Sequence, residues 1–136
     1  MIYPKLQPVK GKKTFDGIFA SGKRFYNDDV MAVICFRKAD INNPTINYAV
    51  IARKKIARKA VVRNRIKRLL RESLRKIFSE SEDEKFNKSF EYIIIGWNTA
   101  PEHPMLIKLK DIMPKVKSLL DKAYNQNLSF KEGKDN

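Results

Sequence analysis

From Val62 onward, Val62, Ile66, Leu69, Leu70, Leu74 and Ile77 recur at steps of three and four residues, the spacing of an amphipathic helix with one stripe against a core. The pattern predicts a helix from about Ala60 to Phe78. Before it, the segment TFDGIFASG places Phe15, Ile18 and Phe19 on one side of a shorter helix, capped by Thr14 or a neighbour and followed by Gly22. DVMAVICFR, Asp29 to Arg37, is rich in Val, Ile and Phe and reads as a well-buried strand, with a short extended piece around Arg24 to Tyr26 before it. INYAVIA, Ile46 to Ala52, reads as the next strand. The turn signals in KADINNP between them predict an antiparallel hairpin.

After the long helix, SESEDEKFNK is polar enough for an exposed connection without a site. Glu91 to Trp97, EYIIIGW, is a continuous apolar run of strand length, so both its faces are expected to be covered. A proline-bounded loop, Asn98 to Pro104, leads to a last helix, IMPKVKSLLDKAY, with Asp111 as its cap and Pro114 in its first turn. The order is helix, strands, helix, strand, helix. It predicts a single α+β domain over residues 1–124, with a mixed sheet of about four strands and helices packed on it. Residues 1–13 hold two prolines and a glycine among lysines and are expected as an extended arm, and residues 125–136 as a disordered polar tail.

Composition narrows the function. The chain has 136 residues, 43% of them hydrophobic, enough for a real core, and so is no disordered basic tail. A net charge of +14 gives a field that speeds encounter with a polyanion, nucleic acid or an anionic membrane surface alike. No run approaches the ~18 apolar residues that span a bilayer, and the N-terminus lacks the apolar centre of a signal peptide. A soluble, cytoplasmic protein with no membrane partner is expected. The single cysteine, Cys35, sits among Val33, Ile34 and Phe36 and reads as a small buried hydrophobe.

The charge is concentrated. Arg53 to Lys76 holds twelve basic residues, Arg53, Lys54, Lys55, Arg58, Lys59, Arg63, Arg65, Lys67, Arg68, Arg71, Arg75 and Lys76, against one acid, Glu72. At about 100° per residue, Asn64, Lys67, Arg68, Arg71 and Arg75 share the face opposite the apolar stripe, with Arg63 and Arg65 at its borders. Like charges at such spacing are destabilising, and cations from Arg53 to Arg65 crowd a helix N-terminus whose dipole favours anions. The arrangement becomes favourable when phosphates sit there, held by free backbone N–H groups and arginine forks. A merely solvated basic face is the bland alternative, and it leaves this density unexplained. Asn64, the one uncharged member of the face, both donates and accepts, which suits a ribose hydroxyl or base edge. The alternative for Asn64 is a bond to its own backbone.

The run AVVRNRIKRLLRE, Ala60 to Glu72, resembles the signature of the protein subunit of bacterial ribonuclease P, an Arg-Asn-Arg followed by Lys-Arg and Arg on one helix, here Arg63, Asn64, Arg65, Lys67, Arg68 and Arg71. Phe15, Phe19, Gly22 and Arg24 also stand in the order of that family's first helix. Upstream the chain departs from the family: Ala52 to Lys59 keeps the charge but has no glycine and one residue more than many members. The resemblance implies a fold like a domain of ribosomal protein S5 with a left-handed βαβ crossover, where pattern alone predicts a right-handed one.

Catalytic chemistry is missing from the polypeptide. Metal-dependent hydrolysis needs grouped carboxylates, and acid–base cleavage needs positioned titrating groups. The only histidine, His103, lies between prolines and reads as a solvated loop residue, and Glu80, Glu82, Asp83 and Glu84 read as a solvated acidic linker. The resemblance implies the rest: an RNA subunit that holds catalytic Mg²⁺ and removes the 5′ leader of precursor tRNA, and a protein without a cofactor or protein partner of its own. It implies that the cations from Arg53 to Arg75, with Asn64, bind the RNA subunit. It also implies that a groove by the first helix, with Phe15, Phe19 and Arg24, takes the single-stranded leader. For Phe15 and Phe19, core packing and base stacking stand as equal alternatives. A ribosomal or RNA-chaperone protein explains charge and fold as well, and only the motif separates the two readings. A DNA-binding regulator lacks a partner helix for a helix-turn-helix.

Overall fold

In the computed structural model, which describes residues 3–38, 44–99 and 106–134, the most continuously apolar strand takes the centre of the sheet. The elements are β1 (Lys5–Pro8), α1 (Lys12–Ser21), β2 (Lys23–Tyr26), β3 (Val30–Phe36), β4 (Thr45–Ala52), α2 (Ala60–Glu80), α3 (Glu84–Ser89), β5 (Phe90–Trp97) and α4 (Leu109–Lys134). The strand order is β1-β4-β5-β3-β2. β5 pairs antiparallel with β3 and parallel with β4, and β4 and β5 are joined through α2 and α3.

The hairpin expected between β3 and β4 therefore does not form, because β5 lies between them. Ile93, Ile94 and Ile95 are each 0% exposed, which requires cover on both faces, and only a central position supplies it. The link from Phe36 to Thr45 leaves room for this, since its eight intervening residues span up to roughly 26 Å when extended. Two strand spacings amount to only about 10 Å.

The main core lies on one side of the sheet. There Ile34, Ile46, Ile93 and Ile95 meet Ile66, Leu70 and Leu74 of α2 and Ile112, Val116 and Leu119 of α4. On the other side, among the described residues, α1 is the one helix that packs, its Ile18 against Val33 and Ile94. α1 begins at Lys12, two residues before the expected Thr14 cap, following Gly11, whose φ of 90° favours glycine. At its far end Gly22 approaches β3 so closely that a Cβ would lie 2.6 Å from Val33 Cγ1, so no larger residue fits there without a shift.

Three polar segments are more ordered than their composition suggests. The arm contributes a fifth strand: β1 pairs in parallel with β4 from Lys5↔Thr45 to Pro8↔Tyr48. Its one proline, Pro8, is tolerated because β1 is an edge strand. The acidic connection contains α3, whose N-terminus is capped by Asp83 accepting from Phe86 N at 3.1 Å. Phe86 is buried there, with its ring centroid 5.0 Å from that of Phe90. The tail expected to be disordered from Asn125 is helical to Lys134, within α4. Asn125 to Ser129 lacks an apolar stripe and so reads as coil, yet Leu119, Leu120 and Ala123 have already anchored the helix, and adding residues to a formed helix is easy. Asn127 is itself 7% exposed. α4 also starts earlier than expected, so Pro114 is its sixth residue, and Asp111 Oδ2 reaches back to accept from Lys108 N at 2.9 Å. Among the described residues no helix is long and apolar enough to cross a membrane.

Hydrogen exchange checks the strand order. Amides of Ile93 to Ile95 are expected among the slowest in the protein, opening only with global unfolding, while that of Leu6 on edge strand β1 exchanges faster. A β3–β4 hairpin with β5 at an edge would reverse that ranking.

Candidate nucleic-acid interface

α2 turns Val62, Ile66, Leu69, Leu70, Leu74 and Ile77 into the core, so the residues between them point outward. Asn64, Arg68 and Arg75 are exposed, and Lys67 and Arg71 are half-buried beside them. The N-cap residue is Lys59, its side chain makes no capping bond, and the first turn carries no acid. Free N–H groups and cations thus converge at one end, as an anion site requires. Arg53, Lys54, Lys55, Arg58 and Lys59 are exposed around it. The atypical loop that carries them closes as a turn, with Ile56 N and Ala57 N donating to Arg53 O at 3.0 and 3.1 Å. Buried Ala57 and half-buried Ile56 anchor it.

Arg63 and Arg65, placed at the borders of the basic face by sequence, hold the structure together. Arg63 Nη1 donates to Ala57 O and Arg58 O at 3.0 and 2.6 Å, tying the loop to the helix. Arg65 donates through Nε and Nη2 to Ile107 O, at 3.0 and 2.7 Å, tying α2 to the segment that enters α4. Nothing in the sequence pairs residue 65 with residue 107; the contact exists only because α2 and α4 pack side by side.

A second surface lies along α1. A groove of about 850 Å³ is bounded by Lys13, Thr14 and Ser21 of α1, by Cys35, Phe36, Arg37 and Lys38 at the end of β3, by Glu91 and Tyr92 of β5, and by Asn127 of α4. β2 begins only at Lys23, opposite Ile34, which leaves the far end of β3 without a strand on that side. Lys13, Lys23, Arg37 and Lys38 face it with one acid, Glu91. Arg37 is partly committed, since its Nη2 donates to Thr45 O at 2.5 Å and Phe90 O at 3.3 Å, while its buried Nε has no partner among the described residues. Phe15 and Phe19 are half-buried against the Ile18, Val33 and Ile94 cluster and do not line the groove. Arg24 is exposed on β2. The groove cations are scattered between residues 13 and 38 and carry no local motif, so sequence reading missed them. His103 lies outside the described residues.

Arg53 lies at the other end of the sheet from this groove, where β4 runs into the loop before α2. Its Nη2 lies 3.9 Å from Met31 Sδ, and its carbonyl opens the turn that leads to α2. The fold and the cations together define a small α+β protein that presents a basic helix on one flank and a basic groove beside α1.

The family model described as Ribonuclease P matches residues 3–124. A ribonuclease P protein component of Clostridium botulinum (strain Langeland) is 30% identical over 123 residues, 89% of this chain and 99% of that protein. One from Prochlorococcus marinus is 37% identical over 84 residues, 56% of this chain and 66% of that protein. The solved ribonuclease P protein of Thermotoga maritima matches at a TM-score of 0.63 with 20% identity, covering 85% of this chain and 96% of that one. That of Staphylococcus aureus matches at 0.59 with 22% identity, covering 85% and 94%. The chain belongs to the ribonuclease P protein component family, a family of tRNA processing.

Arg65→Ala is expected to lower folding stability by about 1.5–3 kcal/mol, the usual worth of hydrogen bonds from a charged group. Arg68→Ala, on the exposed face, should change it by less than about 0.5 kcal/mol. Urea denaturation of the two variants measures the contrast, and equal stabilities would mean that the carbonyl of Ile107 contributes nothing.

Proposed function

We propose that this chain is the protein component of a ribonucleoprotein endonuclease that removes the 5′ leader of precursor tRNA, with the RNA subunit performing the cleavage. The basic face of α2 and the loop before it bind the RNA subunit, and the α1 side of the sheet receives the single-stranded leader. The observation that carries the reading is the uncapped, acid-free N-terminus of α2 ringed by exposed cations in a chain of this family. Such an end is electrostatically unfavourable alone and is relieved by phosphates.

The acids support a non-catalytic polypeptide. Asp83 caps α3, Asp111 closes the first turn of α4, Asp29 pairs with Lys115, and Asp121 pairs with Lys117 at 3.4 Å. Among the described residues no three His, Cys, Asp or Glu side chains are grouped to hold a metal ion. In this reading Mg²⁺ is held by the RNA. The protein neutralises phosphates that would otherwise draw counterions, which lowers the magnesium needed for folding and cleavage.

Cleavage of precursor tRNA at low magnesium should require RNA subunit and protein together; accurate 5′ cleavage by the protein free of RNA would refute the reading. Arg68→Ala and Arg71→Ala should each reduce the salt slope of RNA binding by about one unit. Asn64→Ala should impair assembly with little change in slope, and Asn64→Lys should fail to restore it. Full rescue by lysine would reduce the position to charge alone.

A further inference from the structure

Tyr26 is 54% exposed, whereas Phe25, Tyr48, Phe90 and Trp97 of the same sheet are each no more than 7% exposed. The pleat fixes its direction. Phe25 enters the core beneath α2 and α4, so Arg24 and Tyr26 point to the opposite side. Arg24 pairs with Val33, which packs against α1, and Tyr26 pairs with Met31. The row through Tyr26 continues across the sheet as Met31, Gly96 and Ile51. Gly96 raises no side chain between its neighbours, and Arg53 Nη2 lies beside Met31 Sδ on the strand next to that of Tyr26. An exposed aromatic ring thus has one arginine two residues back on its own strand, and a second, Arg53 just past β4, whose guanidinium reaches Met31 on the neighbouring strand.

The ring stands on a fixed backbone. Lys122 Nζ donates to Tyr26 O at 3.0 Å, and Asn27 N donates to Val30 O at 2.9 Å. Of the two acids of the β2–β3 turn, Asp29 is paired with Lys115. Asp28 of the same turn is exposed, and Arg24 and Arg53 bring two cations to the side of the sheet that carries the ring.

We propose that Tyr26, with Arg24 and Arg53, is a stacking platform for one unpaired base of the leader, at the end of the sheet face that α1 leaves open. The inference rests on the functional reading above and extends it to a contact outside the α1 groove. A flat ring offers its face to any base, and guanidinium groups at its side bind the flanking phosphates or cap the base. A duplex cannot use the site, because its base faces are already stacked.

The test uses the full chain assembled with ribonuclease P RNA, and measures the affinity for precursor tRNA with and without its leader. Tyr26→Ala should weaken binding of the leader-bearing RNA about 5- to 100-fold, the size of one lost base stack, with mature tRNA bound as before and the melting temperature unchanged. Tyr26→Trp should retain affinity. Single abasic substitutions along the leader should locate one nucleotide whose loss costs the wild type as much as Tyr26→Ala does and costs that variant nothing further. A Tyr26→Ala protein that binds both RNAs like wild type, or loses both equally, overturns the platform. A wild-type complex indifferent to the leader would instead overturn the broader functional reading.

Discussion

Burial of the α2 stripe against the sheet and α4 is the constraint on which the rest depends. Ile66, Leu70 and Leu74 are each 0% exposed, and their burial fixes the rotation of the helix about its own axis. Once that rotation is set, Asn64, Arg68 and Arg75 have no direction but outward. Each buried leucine or isoleucine contributes roughly 1.5–3 kcal/mol, while an unfavourable like-charge pair on a helix costs a few tenths. The core therefore outweighs the repulsion, and the cations remain available to a partner.

The charges of α2 run against its dipole at both ends. Its first turn has no acid and its last has no base, and Glu80, Glu82 and Asp83 lie at or just beyond its C-terminus. Local helix electrostatics would choose the reverse. Part of the strain is relieved internally: Arg63 and Arg65 give their donors to carbonyls of the preceding loop and of the segment entering α4. The acidic end has its own neighbourhood, where burial and then the charge of Asp83 raise the pKa of the Tyr124 hydroxyl. The molecule is polarised along α2, with its basic end at the exposed loop that follows β4.

Division of the sheet into two unequal faces gives the second functional surface. Among the described residues three helices cover one face, and the one helix on the other is α1, ten residues long. A single short helix cannot shield five strands, so part of the α1 face stays open and bordered by Arg24, Arg37 and Arg53. The exposed basic loop between β4 and α2 joins the end of this face at Met31 to the basic helix, while the α1 groove lies at the other end of the sheet.

The sequence alone determined every element that periodicity governs: α2 and its outward cations, the buried strands, the core of α4, and through the Arg63 to Arg71 motif the family itself. These are local properties, set by which residues recur at helical or strand spacing and by which are charged. Tertiary structure decided what depends on pairs far apart in the chain. β5 separates β3 from β4 because Ile93, Ile94 and Ile95 need cover on both sides, which only a central place provides. Lys5–Pro8 is a strand because β4 had an open edge, and Asn125 to Lys134 is helix because an anchored helix propagates at little cost. Arg65 reaches the carbonyl of Ile107 because two helices pack side by side, which no spacing along the chain encodes. Phe15 and Phe19 are half in the core because α1 lies flat on Val33 and Ile94, and the periodicity of a ten-residue helix cannot say how far its apolar side sinks into the surface beneath it.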